Sequence, residues 1–151
     1  MSVRYTASDI AKWFLAYNRN IMAEGDAEFI SNLKLQKLLY YAQGTYYAIT
    51  GGLLFAEPIK AWRHGPVVES VYHEYKSNGA NGINFDEEFD FSRFDPETEG
   101  ILEEVYNYFG QYSAWKLRNM THEERPWKET EINDIIDTGL IKDYFLEEYV
   151  E

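Results

Sequence analysis

The longest regular pattern in the chain is the segment NLKLQKLLYYAQGTYYAITGG, which starts at Asn32. Its apolar residues recur at helical spacing and form one broad stripe: Leu35, Leu38, Leu39, Ala42, Tyr46 and Ile49. Ser31 or Asn32 can cap the first turn, and Gly51 and Gly52 are typical of a helix C-terminus. The sequence therefore predicts a long amphipathic helix here, the second of the chain.

Caps and apolar spacing predict five further helical segments, beginning near Ser8, Pro66, Pro96, Ser113 and Thr138. Between the second and third helices, the run LLFAEPIKAWRHGP is broken by Pro58. Its β-prone residues indicate two extended pieces, 53–55 and 59–62. The expected fold class is mainly α: a compact single-domain helical fold, spanning 1–151, with a small β-hairpin-like element between the second and third helices.

The chain is strongly acidic, with 26 acidic and 14 basic residues and a formal net charge of −12. Such a field repels phosphate backbones and anionic lipid and favours a basic partner. We therefore expect no direct contact with nucleic acid or with a membrane. The chain has no cysteine, and no apolar run approaches the roughly 18 residues needed to span a bilayer. These features predict a cytoplasmic protein.

Sequence motifs for common catalytic sites are missing. There is no GxxxxGKS or GxxxxGKT phosphate loop, no GxGxxG fingerprint, no GxSxG and no cysteine nucleophile. His64, Glu69 and His73 could be imagined as metal ligands, but no HExxH motif supports them. We expect a non-enzymatic protein without cofactor or metal, and a small metal-dependent hydrolase is the minor alternative.

Three sequence blocks carry a resemblance to a known family. They are NLKLQKLLYYAQGTYYAITGGLLF at 32–55, AWRHGPVVESVYHEYK at 61–76 and THEERPW at 121–127. In this order and spacing they resemble the Panacea-domain antitoxins, the SocA-like and phage-associated GepA-like group. The resemblance implies a mostly helical antitoxin that neutralises a cognate protein toxin by direct contact. Some SocA-like members instead act as adaptors that deliver the toxin to a ClpXP-type protease. The acidic charge favours a basic toxin, and homodimerisation is left open.

The second block places two aromatic rings and an imidazole close together in sequence, at Trp62, His64 and Tyr72. One interpretation is a patch that recognises the partner. The other is a strand-to-helix corner, in which Gly65 supplies a special dihedral, Pro66 and Val67 start the helix, and Trp62 is buried. We favour the second interpretation and keep Trp62, His64 and Tyr72 as partner-binding candidates.

The second helix carries Tyr40, Tyr41 and Tyr47 beside its apolar stripe. Since all three cannot be buried together with the stripe, one interpretation is that some of them form an amphipathic surface for a partner. The alternative, which we favour, is that they pack against neighbouring helices. The tyrosines stay partner-binding candidates.

In the third block, His122, Pro126 and Trp127 could form the wall of a pocket, with His122 and a following glutamate as a catalytic pair. The structural alternative is that Thr121 and His122 cap neighbouring backbone, Pro126 prevents a continuous helix, and Trp127 pins the turn onto the core. We favour the structural alternative, because a catalytic His also needs a nucleophile or metal placed against it.

An acidic stretch from 86 to 104 contains nine carboxylates and a single arginine, Arg93. It is either an ordinary solvated surface or an electrostatic collar for a basic toxin. Glu87 and Glu88 are the partner-binding candidates in this stretch.

Overall fold

The computed structural model describes residues 3–25 and 27–150. They form seven α-helices and two β-strands: α1 (Ala7–Ala23), α2 (Asn32–Thr50), β1 (Lys60–Trp62), β2 (Gly65–Val67), α3 (Glu69–Tyr75), α4 (Pro96–Phe109), α5 (Ala114–His122), α6 (Arg125–Lys128) and α7 (Thr138–Glu148). Strands β1 and β2 pair antiparallel, with Lys60 opposite Val67 and Trp62 opposite Gly65. The predicted fold class, mainly α with a small hairpin between the second and third helices, is confirmed.

Helix α2 lies at the centre of the fold. The side chain of Ser31 caps it by accepting from the backbone N–H of Lys34, and Gly51 ends it with a left-handed φ of 79°. The helix contacts α1, α3, α4, α5, α7 and β2. Every side chain from 35 to 44 is therefore buried, including polar ones. Those polar groups need hydrogen-bond partners, and β2, the loops and α2 itself supply them.

Most predicted helix ends are confirmed. Asp95 caps α4 with Pro96 in its first turn, Ser113 caps α5, and α7 begins at Thr138. Helix α1 instead begins one residue earlier than expected. Thr6 caps it rather than Ser8, because the side chains of Thr6 and Asp9 form a reciprocal capping box. No helix among the described residues is long and apolar enough to cross a bilayer.

The hairpin differs from the prediction in two respects. Residues 53–55 are not a strand, because the side chain of Gln43 satisfies the Leu54 N–H and the Phe55 carbonyl directly. Pro66 does not start a helix. It lies in β2, and α3 begins at Glu69, beyond a backbone N–H of Val68 that bonds to α2. A 3-10 turn extends α3 as far as Asn78, and Gly79 follows it with a φ of 58°.

The third block forms a helix–helix junction rather than a simple turn. Helix α5 runs through Thr121 and His122, and α6 follows after Glu123 and Glu124. Pro126 lies in the first turn of α6, where its missing N–H costs nothing. Pro126 thus separates two helices, in agreement with the expectation that it prevents a continuous one.

The contact between α2 and α7 depends on Gly44. A Cβ built at this position would overlap the ring of Phe145, which is fully buried. Gly44→Ala should therefore lower the free energy of unfolding by about 1–3 kcal/mol, as overpacking does.

Gly100 in α4 provides the matched control, because nothing lies within 4 Å of a Cβ built there. Gly100→Ala should raise the free energy of unfolding by about 0.5–1 kcal/mol, through helix propensity alone. Urea unfolding of both variants checks the pair. A Gly44→Ala protein as stable as the wild type would refute the close packing of α7 on α2.

Candidate partner-binding surface at the hairpin corner

Buried amide side chains of α2 hold the hairpin and α3 in place. The Gln36 Oε1 accepts from the Val68 N–H at 2.9 Å, and its Nε2 donates to the Asn32 Oδ1 at 2.9 Å. The Asn32 Nδ2 in turn donates to the Tyr72 carbonyl at 3.0 Å. Because these side chains are buried, each bond is costly to break. They fix the position of the hairpin on the helix.

Lys37 brings a buried amine to the same place. Its Nζ donates to the Pro66 carbonyl at 3.1 Å, and the side chain is fully buried. Burial, with a smaller contribution from the charge of Arg118, lowers the pKa of Lys37 to about 7. No carboxylate of residues 3–25 or 27–150 pairs with this amine. Lys37 is therefore a buried titratable amine held by a backbone carbonyl.

Gly65 is the position where the three sequence blocks meet. Its φ of 109° confirms the special dihedral predicted for it. A Cβ built there would lie 2.6 Å from the Lys37 Cε and 2.8 Å from the Thr121 Oγ1. Since these neighbours belong to α2 and α5, only glycine lets the hairpin approach both helices.

Glu124, a residue of the third block, lies in the core and is 3% exposed. Its carboxylate accepts hydrogen bonds from the hydroxyls of Tyr40 at 2.9 Å, Tyr41 at 3.0 Å and Tyr149 at 2.6 Å. Burial raises the pKa of Glu124, while the three donated bonds oppose that rise. This cluster ties α2, the α5–α6 junction and the end of α7 together.

The cluster corrects part of the tyrosine hypothesis. Tyr40 and Tyr41 are fully buried, because Glu124 satisfies their hydroxyls inside the core and Tyr41 stacks on Phe109 at 3.8 Å. Neither ring can offer its surface to a partner in this conformation. Tyr47 is half-buried, with the Lys142 Nζ 5.3 Å from its ring centroid, and remains a candidate.

His122 and Trp127 support the hairpin from behind. Their rings stack at 3.9 Å, and the Trp127 indole donates to the Trp62 carbonyl at 2.8 Å. Burial, together with the nearby charge of Arg118, lowers the pKa of His122. Of the two glutamates considered as its catalytic partner, Glu123 is exposed and Glu124 is occupied by tyrosine hydroxyls. The geometry is that of a packed junction.

The outer face of the corner carries exposed aromatic and cationic groups. His64 is exposed, and its Nδ1 accepts from the Arg118 Nε at 3.4 Å. The guanidinium of Arg118 lies 4.4 Å from the ring centroid of Trp115, which is 55% exposed. Sequence reasoning missed Trp115. Its spacing two residues before the buried Leu117, roughly 200° around a helix, was the available signal.

A groove of about 340 Å³ lies beside this face. Its lining includes Leu33 of α2, Trp62, His64 and Val67 of the hairpin, and Tyr72 of α3. Trp62 is half-buried rather than buried, and its ring meets the edge of Tyr72 at 4.9 Å. The groove thus brings together the three candidates of the second block: Trp62, His64 and Tyr72. A larger, open cleft of about 660 Å³ lies between α1 and α4. Among its described lining residues, Lys34 alone belongs to the three sequence blocks.

The residues imagined as metal ligands do not converge. The Glu69 carboxylate lies 3.4 Å from the Lys60 Nζ, and the His73 ring packs against Tyr72. Among residues 3–25 and 27–150, no group of three or more His, Asp or Glu side chains is placed to hold a metal ion. His64, Glu69 and His73 therefore do not form the site that the hydrolase alternative needs.

The acidic stretch lies on different elements. Arg19 of α1 donates to the Phe85 and Glu87 carbonyls, and the Glu87 carboxylate is 3.8 Å from the Lys12 Nζ. Seven carboxylates of the stretch are exposed: Asp86, Glu87, Glu88, Asp90, Glu97, Glu103 and Glu104. None of them lines the groove. The chain therefore presents an acidic surface near α1 and α4, and a separate aromatic surface at the corner.

Comparisons with known proteins match the region that builds the corner. The family described as antitoxin SocA-like, Panacea domain, matches residues 35–128, which is more than half of the chain and runs from α2 to α6. Antitoxin SocA of Caulobacter vibrioides (strain NA1000 / CB15N) is 46% identical over 54 residues. That alignment covers 36% of this chain and only 29% of the relative. No solved structure matches the chain. The family match includes the hairpin and most of the helices packed against it, and the chain belongs to the SocA-like antitoxin family with a Panacea domain.

Proposed function

We propose that this chain is a non-enzymatic antitoxin that neutralises a co-encoded protein toxin by direct protein–protein contact. The observation that carries the proposal is the set of exposed and half-buried side chains formed by Trp62, His64, Tyr72, Trp115 and Arg118, here called the corner surface. It lies within the part of the chain that matches an antitoxin family. Trp, Tyr and Arg supply most of the binding energy at protein interfaces.

The contacts that hold the corner surface in place also favour a binding role. Gln36, Lys37 and Trp127 hold the hairpin backbone from below, and Arg118 is stacked on Trp115. Side chains that are already ordered lose less conformational entropy when a partner binds. A rigid aromatic surface of this kind suits tight association better than turnover of a small substrate.

The acidic surface supports a steering role in the same function. With a net charge of −12, the chain attracts a basic toxin over long range. The exposed carboxylates of Glu87 and Glu88 belong to this surface. Charge complementarity of this kind mainly raises the rate of association and the specificity. We propose that the acidic stretch guides the toxin and that the corner surface holds it.

Co-expression tests the proposal. Expression of the product of the neighbouring gene alone should arrest growth, and co-expression of this chain should restore it. The double variant Trp115→Ala with Arg118→Ala should lose the rescue, because it removes two interface anchors without touching the core. Gly100→Ala is the matched control and should rescue fully. A neighbouring product that is harmless in every tested host, or that never forms a complex with this chain, would refute the proposal.

The adaptor alternative is tested in the same cells. Delivery to a ClpXP-type protease predicts that the toxin half-life shortens when this chain is present. Neutralisation by contact alone predicts restored growth with an unchanged toxin half-life in a pulse-chase measurement.

A further inference from the structure

The groove at the corner has a charge opposite to that of the whole molecule. Arg63, His64 and Lys76 are exposed lining residues, and no aspartate or glutamate among the described residues lines the groove. Elsewhere five basic side chains lie within 4.0 Å of a carboxylate, namely Lys12, Lys60, Arg4, Arg93 and Arg125. Others, such as Lys116, Lys128 and Lys142, have no carboxylate that close among the described residues, but they do not line the groove.

Arg63 and Lys76 have no such partner in the part of the chain that the structure describes. In a chain with 26 acidic residues, two cations left without carboxylates beside one groove are available to an outside anion.

The interior of the groove is apolar. Leu33, Val67 and the rings of Trp62 and Tyr72, which pack edge to face against each other, supply its lining. Its volume of about 340 Å³ is near the lower end of ligand sites, which hold about 300–1,000 Å³. A groove of this volume can hold a few side chains of an extended peptide segment, but it is too small for a whole helix. An apolar interior beside unpaired cations matches a ligand with an apolar group next to a negative charge.

We propose that the groove receives an acidic peptide segment of the partner protein. An aliphatic or aromatic side chain of that segment enters the groove and packs against Trp62 and Tyr72, and a neighbouring carboxylate meets Arg63 and Lys76. The inference rests on the proposed function and adds to it the chemistry of the docked segment. The partner then carries both signs of charge: basic surface attracted by the acidic stretch, and a local acidic segment held at the corner.

The charges favour a peptide over a nucleic acid. A nucleic acid strand presents a phosphate at every nucleotide, whereas the described lining of the groove offers two lysine or arginine side chains without an ion pair, in a chain of net charge −12. A short acidic segment carries one or two carboxylates, which two cations can match. An oligonucleotide is therefore the competing probe in the test.

Titration of the full ¹⁵N-labelled chain, followed by the indole N–H signals of its tryptophans, tests the groove directly. Two of the probes are blocked synthetic peptides that each contain one leucine. The leucine is flanked by aspartates in one peptide and by lysines in the other, and the peptides are otherwise identical. The third probe is a ten-residue oligothymidylate. The aspartate peptide should shift the Trp62 signal in a saturable manner and leave that of Trp13, which is 1% exposed, unchanged. The lysine peptide and the oligonucleotide should not shift the Trp62 signal.

Charge reversal supplies the matched variants. Arg63→Glu with Lys76→Glu should weaken binding of the aspartate peptide by about tenfold or more. Lys128→Glu with Lys142→Glu makes the same change in net charge outside the groove and should bind as the wild type does. Absence of a shift, equal shifts with both peptides, a stronger response to the oligonucleotide, or unchanged binding by the groove variant would each overturn the inference. The titration needs no toxin, so its outcome is independent of the growth test.

Discussion

Glu124→Ala is expected to cost at least about 3 kcal/mol in the free energy of unfolding, the largest loss we predict for a single substitution. The change leaves the hydroxyls of Tyr40, Tyr41 and Tyr149 without an acceptor. Each buried donor left without a partner costs about 1–3 kcal/mol, and small domains have only about 5–15 kcal/mol in total. The junction of α2, α6 and α7 should loosen first, since the cluster joins them.

Two further variants separate the hydrogen bonds from packing. Tyr149→Phe keeps the ring and removes one donor, so it should cost about 1 kcal/mol. Glu124→Gln keeps one acceptor oxygen and should fall between the other two. Urea unfolding followed by circular dichroism ranks the three proteins. Equal stability of Glu124→Ala and Tyr149→Phe would contradict a shared carboxylate at the centre of the cluster.

The stability of the protein should rise by about 2 kcal/mol between pH 7 and pH 9, because of Lys37. The pKa of this amine is about 7 in the folded chain and 10.5 as its ordinary value. Between these two values the unfolded chain binds the extra proton, so raising the pH favours the folded state. Below pH 7 the amine is protonated in both states, and its contribution no longer changes with pH.

Lys37→Met isolates this effect. The variant removes the titrating amine from the buried site, so the slope of unfolding free energy against pH between 7 and 9 should flatten. The slope is the diagnostic quantity, because the variant also loses the hydrogen bond to the Pro66 carbonyl. A wild-type profile that is flat over this range, or a variant with the same slope, would show that Lys37 keeps an ordinary pKa in the folded protein.

Features that depend on neighbouring residues were predictable from the sequence. The caps at Ser31, Asp95 and Ser113 and the end at Gly51 each involve residues within one helical turn. The hairpin was placed only in part. The bonds that decide it come from Gln36, Lys37 and Gln43 of α2, and local propensity contains no information about them.

The candidate site likewise has parts that could be predicted from nearby residues and parts that could not. Trp62, His64 and Tyr72 lie close in sequence and line one groove. Packing of Tyr40 and Tyr41 against neighbouring helices was the favoured interpretation, but their acceptor Glu124 was not predictable, since it is more than eighty residues away in the chain. Trp115 joins the corner surface only because α5 packs beside the hairpin, which places Arg118 against His64.

The most direct test of toxin binding at the corner is a kinetic binding measurement between this purified chain and the purified product of the neighbouring gene. We predict a stable complex. Trp115→Ala with Arg118→Ala should weaken it by about 100-fold or more, through faster dissociation and with an unchanged melting temperature. Glu87→Lys with Glu88→Lys should mainly slow association, by about threefold to tenfold at low salt. A folded corner variant that binds with wild-type affinity, or the absence of any complex, would contradict binding of the toxin at the hairpin corner.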